Sequence, residues 1–298
     1  MNVAAVDIGT NSVRLLVTDS RGRTLEREMR ITRLGQGVDQ LHRLQQDAIA
    51  RTCAVLAEYG TLIARHQAGR VRATATSAAR DADNSEAFFD AAERALGTRP
   101  ELLPGEVEAE LSFRGATADL DPALGPFLVI DLGGGSTEFV LGQREPEQLL
   151  SLDIGCVRMT ERHLHDDPPT AAQLDACLTD VSARLLAAKR AVDVKRARCV
   201  VGLAGTVTAL AALQLELGRY DPGRTHHCRL TREQVHALLL RLATCNVEAR
   251  RAMLLEPKRA EVIVGGAVVL FAIMRELEIA ELLVSETDIL DGLAASLR

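Results

Sequence analysis

Short apolar, β-branched runs followed by long stretches with apolar residues every three or four positions occur twice along the chain. The first round places strands at Asn2 to Asp7, Val13 to Asp19 and Thr24 to Ile31, a hairpin meander. Helical periodicity follows over Gln45 to Gln67 and Ser85 to Leu96, with a short strand at Val71 to Ala75 between them. Leu102 and Leu103 end a further strand ahead of a helix from about Gly105 to Gly115. The segment Ala116 to Gly125 gathers Pro, Gly and Asp and reads as a domain boundary. The second round places strands at Phe127 to Asp131, Thr137 to Leu141 and Gln148 to Leu152, then helices from Val157 and over Ala171 to Val192. A strand at Cys199 to Gly202 and helices over Gly205 to Leu217, Thr231 to Ala243, Pro257 to Leu277 and Asp288 to Leu297 complete it. Strands alternating with helices predict an α/β fold whose mixed sheets are covered on both faces. The expected division is 1–120 and 121–298, with the last helix, about 288–298, packing back on the first domain and the ligand in a cleft between the two.

Composition narrows what such a fold can do. The 298 residues are enough for two cores of roughly 120 to 180 residues. Apolar residues make up 47% and charged residues 26%, so the chain is expected to fold nearly throughout. A net charge of −6 gives no basic footprint, which argues against nucleic acid as a partner and requires any polyanion to be met by local groups. The arginines between Arg21 and Arg33 and the basic stretch Lys189 to Arg198 read as solvated faces. Six scattered cysteines without a CxxC fit a reduced, cytoplasmic protein. His226-His227-Cys228 is the one local cluster of metal-binding residue types, and a turn beside Asp221-Pro222-Gly223 explains it equally well. The first strand begins by Val3, which leaves no room for a targeting segment. The longest apolar run, Val262 to Met274, is too short for a bilayer and carries Gly265-Gly266, so a membrane partner is not expected. A buried helix or a homodimer face explains that run equally well.

The candidate chemistry lies in two turns. Asp7-Ile8-Gly9-Thr10-Asn11-Ser12 and Asp131-Leu132-Gly133-Gly134-Gly135-Ser136-Thr137-Glu138 each follow a β-branched run and start 124 residues apart. In each, an acid closes a buried strand, small residues admit an anion close to the backbone, and hydroxyls and N–H groups supply donors. The pair predicts phosphate binding by Thr10, Asn11 and Ser12, and by Gly133, Gly134, Gly135, Ser136 and Thr137. Asp7 and Asp131 either cap their own turns or hold a hard divalent cation, Mg²⁺ first and Mn²⁺ as its alternative. Arg14 shares a strand face with Ser12 and either joins the phosphate site or faces solvent. Glu138 is an acid beside an anion site, which suggests a metal ligand, a water-orienting group or a base. Arg80 and Asn84 share a face and both point at the cleft if their turn is helical, with Arg80 as a phosphate ligand; otherwise Asn84 caps the Ser85 helix. Glu106 and Glu108, in the first turn of a helix, read as complements to its dipole. Gly202-Leu203-Ala204-Gly205-Thr206-Val207-Thr208 is a third strand-to-helix turn, with Gly205 and Thr206 as anion donors.

Together these residues resemble the exopolyphosphatase/guanosine pentaphosphate phosphohydrolase (Ppx/GppA) family, a branch of the actin, sugar-kinase and heat-shock-chaperone ATPase superfamily. The resemblance rests on Asp7 to Ser12, Thr74 to Asn84, Gly105 to Ala109, Asp131 to Glu138, Gly155 with Arg158, Gly202 to Thr208, Arg259-Ala260 with Gly265, and Ser285 with Asp291-Gly292. It implies two ribonuclease H-like domains around an interdomain cleft. It also implies Mg²⁺-assisted hydrolysis of the terminal phosphate of inorganic polyphosphate without a covalent enzyme intermediate, and a homodimer. Glu108 matches the glutamate before alanine in the family's Gly-x-Glu-Glu-Ala pattern, which implies a general base, and Glu138 matches a second active-site acid that orients water or holds metal. Val107 stands where the family has the first glutamate of the pair. The chain also ends at Arg298, where long members carry further helical domains, so the likeness is to the short, two-domain form familiar from actinobacteria. Guanosine pentaphosphate is the alternative substrate, although aromatic residues at 3% and no Trp offer few platforms for guanine. A kinase or ATPase of the superfamily would need an acceptor site, for which the sequence has no feature. A non-catalytic sensor of polyphosphate or nucleotide would gain nothing from four acids near its ligand.

Overall fold

Strand β1 (Asn2–Ile8) is apolar on both faces because it lies in the middle of a sheet. In the computed structural model, which describes residues 1–298, it is followed by β2 (Ser12–Thr18), β3 (Thr24–Ile31), α1 (Val38–Leu41), α2 (Gln46–Arg65), β4 (Ala68–Ala75), α3 (Ser77–Arg80), α4 (Ser85–Leu96), β5 (Glu101–Leu102) and α5 (Gly105–Thr117). The sheet order is β3-β2-β1-β4-β5, antiparallel through the meander and parallel from β1 to β4 and β5. Period-two alternation sorts the β1 side chains. Ala4, Val6 and Ile8 share a core with Leu56 and Tyr59 of α2 and Phe88 of α4. Ala5, on the opposite face, packs with Leu16, Leu103 and Leu111. Asp7 therefore emerges at the carboxyl end of β1 on the Ala5 face.

The chain leaves this unit after Gly115 and returns to it at Asp288, so residues 1–115 and 288–298 form one compact unit and 116–287 the other. The second unit holds β6 (Phe127–Leu132), β7 (Thr137–Gly142), β8 (Pro146–Leu152), α6 (Cys156–His163), α7 (Ala171–Ala191), β9 (Cys199–Leu203), α8 (Ala204–Gln214), α9 (Pro222–Thr225), β10 (Arg229–Thr231), α10 (Arg232–Ala243), α11 (Val247–Met253), α12 (Ile263–Glu276) and β11 (Glu281–Val284). Its sheet, β10-β11-β9-β6-β7-β8, repeats the meander and parallel crossover of the first sheet and adds β10 as an antiparallel edge. The returning helix α13 (Ile289–Ser296) sends Ile289, Leu290, Leu293 and Ala294 into the cluster around Ala5 and Leu111.

Helix α12 is where the structure decides between two readings of the sequence. Its residues from Ile263 to Leu270 are all buried within unit two, so the apolar run Val262 to Met274 is core and offers no dimer face. Gly265 and Gly266 are needed there, because a Cβ at either would overlap the hydroxyl of Thr160 or press on that of Thr206. The helix expected from Pro257 begins instead at Ile263, after a separate turn at Pro257–Arg259 capped by the Glu256 side chain. No helix is long and apolar enough to cross a membrane.

Candidate active site

In unit one the turn after β1 is tightly determined by its backbone. Gly9 N–H donates to the Ser12 carbonyl at 2.9 Å, closing a four-residue loop between the Ile8–Val13 pair. The outward carbonyls are occupied from behind: Thr10 O accepts from Gly35 N at 2.8 Å, and Asn11 O accepts from Thr32 N and Arg33 N at 3.1 and 3.0 Å. A Cβ on Gly35 would overlap the Thr10 methyl, so only glycine lets that loop lie so close. With its carbonyls turned back, the loop presents N–H groups and the Asn11 side chain, whose Oδ1 and Nδ2 are buried without a hydrogen-bond partner. Such atoms are costly to bury unless a ligand completes them. Thr10 Oγ1 lies 2.7 Å from Ser77 Oγ at the start of α3.

Two carboxylates complete this unit. Asp7 is 3% exposed; its Oδ2 accepts from Arg14 Nε and Nη2 at 3.1 and 2.6 Å, while Oδ1 is buried with no partner. Burial raises the Asp7 carboxyl above its ordinary value despite the opposing pull of Arg14. Arg14, expected on a phosphate or in solvent, is instead engaged by Asp7 and Asp288, which is a correction to the sequence reading. Glu108, in the first turn of α5, is buried and takes Arg80 Nη1 at 3.4 Å; the same Nη1 donates to Leu103 O at 2.7 Å. Glu106 is exposed, so of the two acids only Glu108 is enclosed. Val107 packs against the apolar cluster under α13, a position where a second glutamate would be desolvated. Arg80 ends α3, the chain breaks at residues 81–84, and Asn84 neither caps α4 by its side chain nor joins Arg80. Asn84 is the N-cap of α4 by position, but its side-chain amide is turned to Leu44, taking Leu44 N–H at 2.8 Å and donating to Leu44 O at 3.0 Å.

Unit two repeats the turn. Gly133 N–H donates to Ser136 O at 3.0 Å between the Leu132–Thr137 pair. Here the amino end of α6 occupies the carbonyls: Gly133 O takes Cys156 N at 3.0 Å, Gly134 O takes Val157 N and Arg158 N at 2.8 and 3.2 Å, and Gly135 O takes Arg158 Nε at 2.7 Å. A Cβ on Gly155 would overlap the Gly134 backbone itself. Asp131 and Glu138 face one another across β6 and β7, 7% and 1% exposed, and Ser151 Oγ donates to Glu138 Oε1 at 2.8 Å. Ser136 is buried in the turn. Thr137 is not a ligand donor: fully buried, it gives its hydroxyl to Ile154 O at 2.5 Å, because the strand has already turned it inward.

The third turn has a strained start. Ala204 adopts left-handed backbone with φ of 71°, which costs a residue with a side chain about 1–2 kcal/mol. Gly205 follows, and a Cβ there would overlap the Arg259 guanidinium, so an arginine lies directly over this turn. Thr206 is buried against α12. The histidine pair lies in a turn, and Asp119 rather than Cys228 joins it, the three possible ligand atoms lying within 4.8 Å of one another. His226 and His227 stack at 3.7 Å, His226 Nε2 lies 2.7 Å from Asp119 Oδ2, and His226 Nδ1 accepts Glu286 N–H at 3.1 Å. With Nδ1 accepting, the proton sits on Nε2, where it faces Asp119. Sequence reasoning passed over Ser151 and Asp288; the only local signal for Asp288 is the capping box it forms with Asp291.

Exopolyphosphatase 2 of Mycobacterium tuberculosis is 47% identical over 99% of this chain and 98% of its own length. The crystal structure of an exopolyphosphatase-like protein, 38% identical, matches with a TM-score of 0.96 over 100% of this chain and 98% of that one. A guanosine-5'-triphosphate,3'-diphosphate pyrophosphatase of Vibrio vulnificus is 30% identical over 98% of this chain, which spans 58% of that protein. The Ppx/GppA phosphatase family profile matches residues 16–297. The chain belongs to the Ppx/GppA phosphatase family.

Proposed function

We propose that this chain is an exopolyphosphatase that removes the terminal phosphate of inorganic polyphosphate by metal-assisted attack of water. The observation that carries the reading is the repetition of one anion-presenting turn in both units, each with its carbonyls occupied from behind. Each such turn takes phosphoryl oxygens, the group that inorganic polyphosphate repeats along its length. Thr10, Asn11 and Ser12 in one unit, and Gly133, Gly134, Gly135, Ser136, Gly205 and Thr206 in the other, hold phosphate oxygens.

Asp7, Asp131 and Glu138 are the carboxylates available to Mg²⁺, and the buried, partnerless Oδ1 of Asp7 fits a hard cation. When bound, Mg²⁺ neutralises phosphate oxygens that would otherwise repel the nucleophile. Glu108, held by Arg80, takes a proton from water as the water oxygen bonds to phosphorus. The bridging P–O bond breaks, and the shortened chain leaves with the bridging oxygen. Glu138, fixed by Ser151, orients the water or holds the cation. All six cysteines are free, which suits a reducing cytoplasm.

Phosphate release from short and long polyphosphate, ATP and guanosine pentaphosphate, with and without Mg²⁺, tests the reading. Mg²⁺-dependent release from polyphosphate is expected to exceed the rest. The Vibrio relative favours guanosine pentaphosphate as the second reading, and faster release from that nucleotide would replace the first.

A further inference from the structure

Asp7 uses one carboxylate oxygen and leaves the other bare. Its Oδ2 accepts both Nε and Nη2 of Arg14, whereas Oδ1 is buried with no partner. The far edge of the same guanidinium is held as well, because Arg14 Nη1 donates to Oδ2 of Asp288. An arginine on its own is a flexible stem with a rigid fork; held at both edges, the fork has one orientation.

Asp288 is itself fixed. Its Oδ1 accepts Leu290 N–H at 2.9 Å as the cap of α13, and its N–H donates to Asp291 Oδ2 at 3.0 Å. Asp291 in turn takes Arg27 Nη1 and Nη2 at 3.0 and 2.9 Å. The backbone is locked too: a Cβ on Gly115 would overlap the Asp288 carbonyl, and one on Gly292 would overlap the carbonyl of Leu111. The start of α13 is thus seated on both β2 and α5, the helix that carries Glu108.

We infer that Asp288 is a positioning residue for Asp7: by anchoring Arg14 from behind, it fixes the Asp7 carboxylate through Oδ2 and keeps Oδ1 directed at a divalent cation. The inference rests on the reading of Asp7 as a cation ligand in the proposed function. Arg14 then acts neither on phosphate nor in solvent. It is the middle member of a relay from a helix cap to the strand end, and the negative charge of Asp288 also favours a cation nearby.

The test is direct Mn²⁺ binding without substrate, followed by electron paramagnetic resonance and calorimetry, on three proteins with circular dichroism as the folding check. Asp288→Ser keeps a capping oxygen for Leu290 but is too short to reach Arg14. Asp291→Asn keeps an oxygen to accept the Asp288 N–H and loses only the charge that holds Arg27, so Asp288 and the relay stay in place. Asp288→Ser is expected to weaken Mn²⁺ about tenfold, with Asp291→Asn within about twofold of the parent. Affinity unchanged in Asp288→Ser, or weakened equally in Asp291→Asn, overturns the role. A parent protein that binds no Mn²⁺ overturns it together with the cation assignment. If the affinity shift appears but the parent releases no phosphate from polyphosphate, the relay stands and the proposed substrate fails; if polyphosphate is hydrolysed and affinity does not move, only the relay fails.

Discussion

The turns after β1 and β6 share one backbone closure and differ in the charge that faces the aspartate. Gly9, Thr10, Asn11 and Ser12 correspond to Gly133, Gly134, Gly135 and Ser136, with the same N–H to carbonyl closure at 2.9 and 3.0 Å. In each unit the aspartate is paired across the hairpin with the residue seven positions later, which is Arg14 in one and Glu138 in the other. The backbone device is what the two halves share, since a turn with inward N–H groups serves any phosphate. The facing residue is what separates them. In unit one an arginine occupies one aspartate oxygen and frees the other. In unit two a second buried acid faces the first, a pairing that draws a cation or a shared proton.

Making the two units alike is the severest test of that contrast. Glu138→Arg gives unit two the cross-strand pairing of unit one, an arginine facing the aspartate. Phosphate release is expected to fall by about a thousandfold or more, as for loss of an acid–base group, with far-UV circular dichroism unchanged. Retention of a tenth of the parent rate would mean that the charge contrast has no part in the chemistry. The reverse exchange, Arg14→Glu, sets three acids together with Asp7 and Asp288 and is expected to cost about 3–5 kcal/mol in denaturant melts.

Glycines behind the two turns sharpen the comparison at the level of packing. Gly155→Ala drives a methyl group into the Gly134 backbone, whereas Gly35→Ala meets side chains, the Thr10 methyl first and Ala78 Cβ next at 3.1 Å. Both should destabilise, Gly155→Ala by about 1–3 kcal/mol and Gly35→Ala by less. Thr10→Ser removes the closest obstruction, so it should rescue Gly35→Ala in part in a double-mutant cycle, Ala78 Cβ remaining at 3.1 Å. No side-chain change can rescue Gly155→Ala. Additive effects of the Gly35 and Thr10 substitutions would refute this account of the first turn.

What the sequence made legible was what is local. The repeated turns, the meanders and the long helices follow from neighbouring residues, and α4 falls at Ser85–Leu96 as its period indicates. Elements of four residues or fewer, such as α1, α3, β10 and β11, are too short to show a period. In the site, Glu108 was named through the family pattern, since its position in a helix reads only as a dipole complement. Arg14 was placed on the correct strand face, but its partner Asp288 lies 274 residues away, beyond any spacing rule. Thr137 and Asn84 show the converse. A hydroxyl beside a glycine turn and an amide before a helix look functional, yet one bonds Ile154 and the other a distant loop.

A smaller effect separates the two aspartates thermodynamically. Burial holds the Asp7 carboxyl above its ordinary 3.8 despite Arg14. A raised folded value means the native state binds the proton more tightly than the unfolded chain. That stabilisation is complete below pH 3.8 and is lost as pH rises through the folded value, leaving ionised Asp7 a net cost at pH 7 without a cation. Asp7→Asn should therefore stabilise the cation-free protein by about 1 kcal/mol, roughly 2 °C in melting temperature, while abolishing the rise that Mn²⁺ gives the parent. A lower melting temperature for Asp7→Asn would show that Arg14 already neutralises Asp7 completely.

The smallest expected effect contrasts the pins beside the two chain crossings. In unit one, Asp288 and Asp291 are held by arginines, which keep their charge at any ordinary pH. In unit two, Asp119 is held by His226, and His227, stacked on His226, brings its Nε2 to 3.7 Å from Asp119 Oδ1 without a hydrogen bond. Burial, helped by the neighbouring His226, lowers the His227 value below its ordinary 6.5. The unfolded chain then takes up a proton first, so this contribution to stability is full above pH 6.5 and is lost as pH falls from there toward the folded value. His227 also sits in left-handed backbone with φ of 62°, a conformation asparagine tolerates better than other side-chain-bearing residues. His227→Asn should thus fold normally at pH 8 and flatten the decline of stability below pH 6.5. The difference should be a few tenths of a kcal/mol, because the ring is 34% exposed and solvent screens it. Denaturant melts between pH 5 and 8 measure it, and parallel curves for parent and variant would remove His227 as the source of any acid sensitivity in unit two.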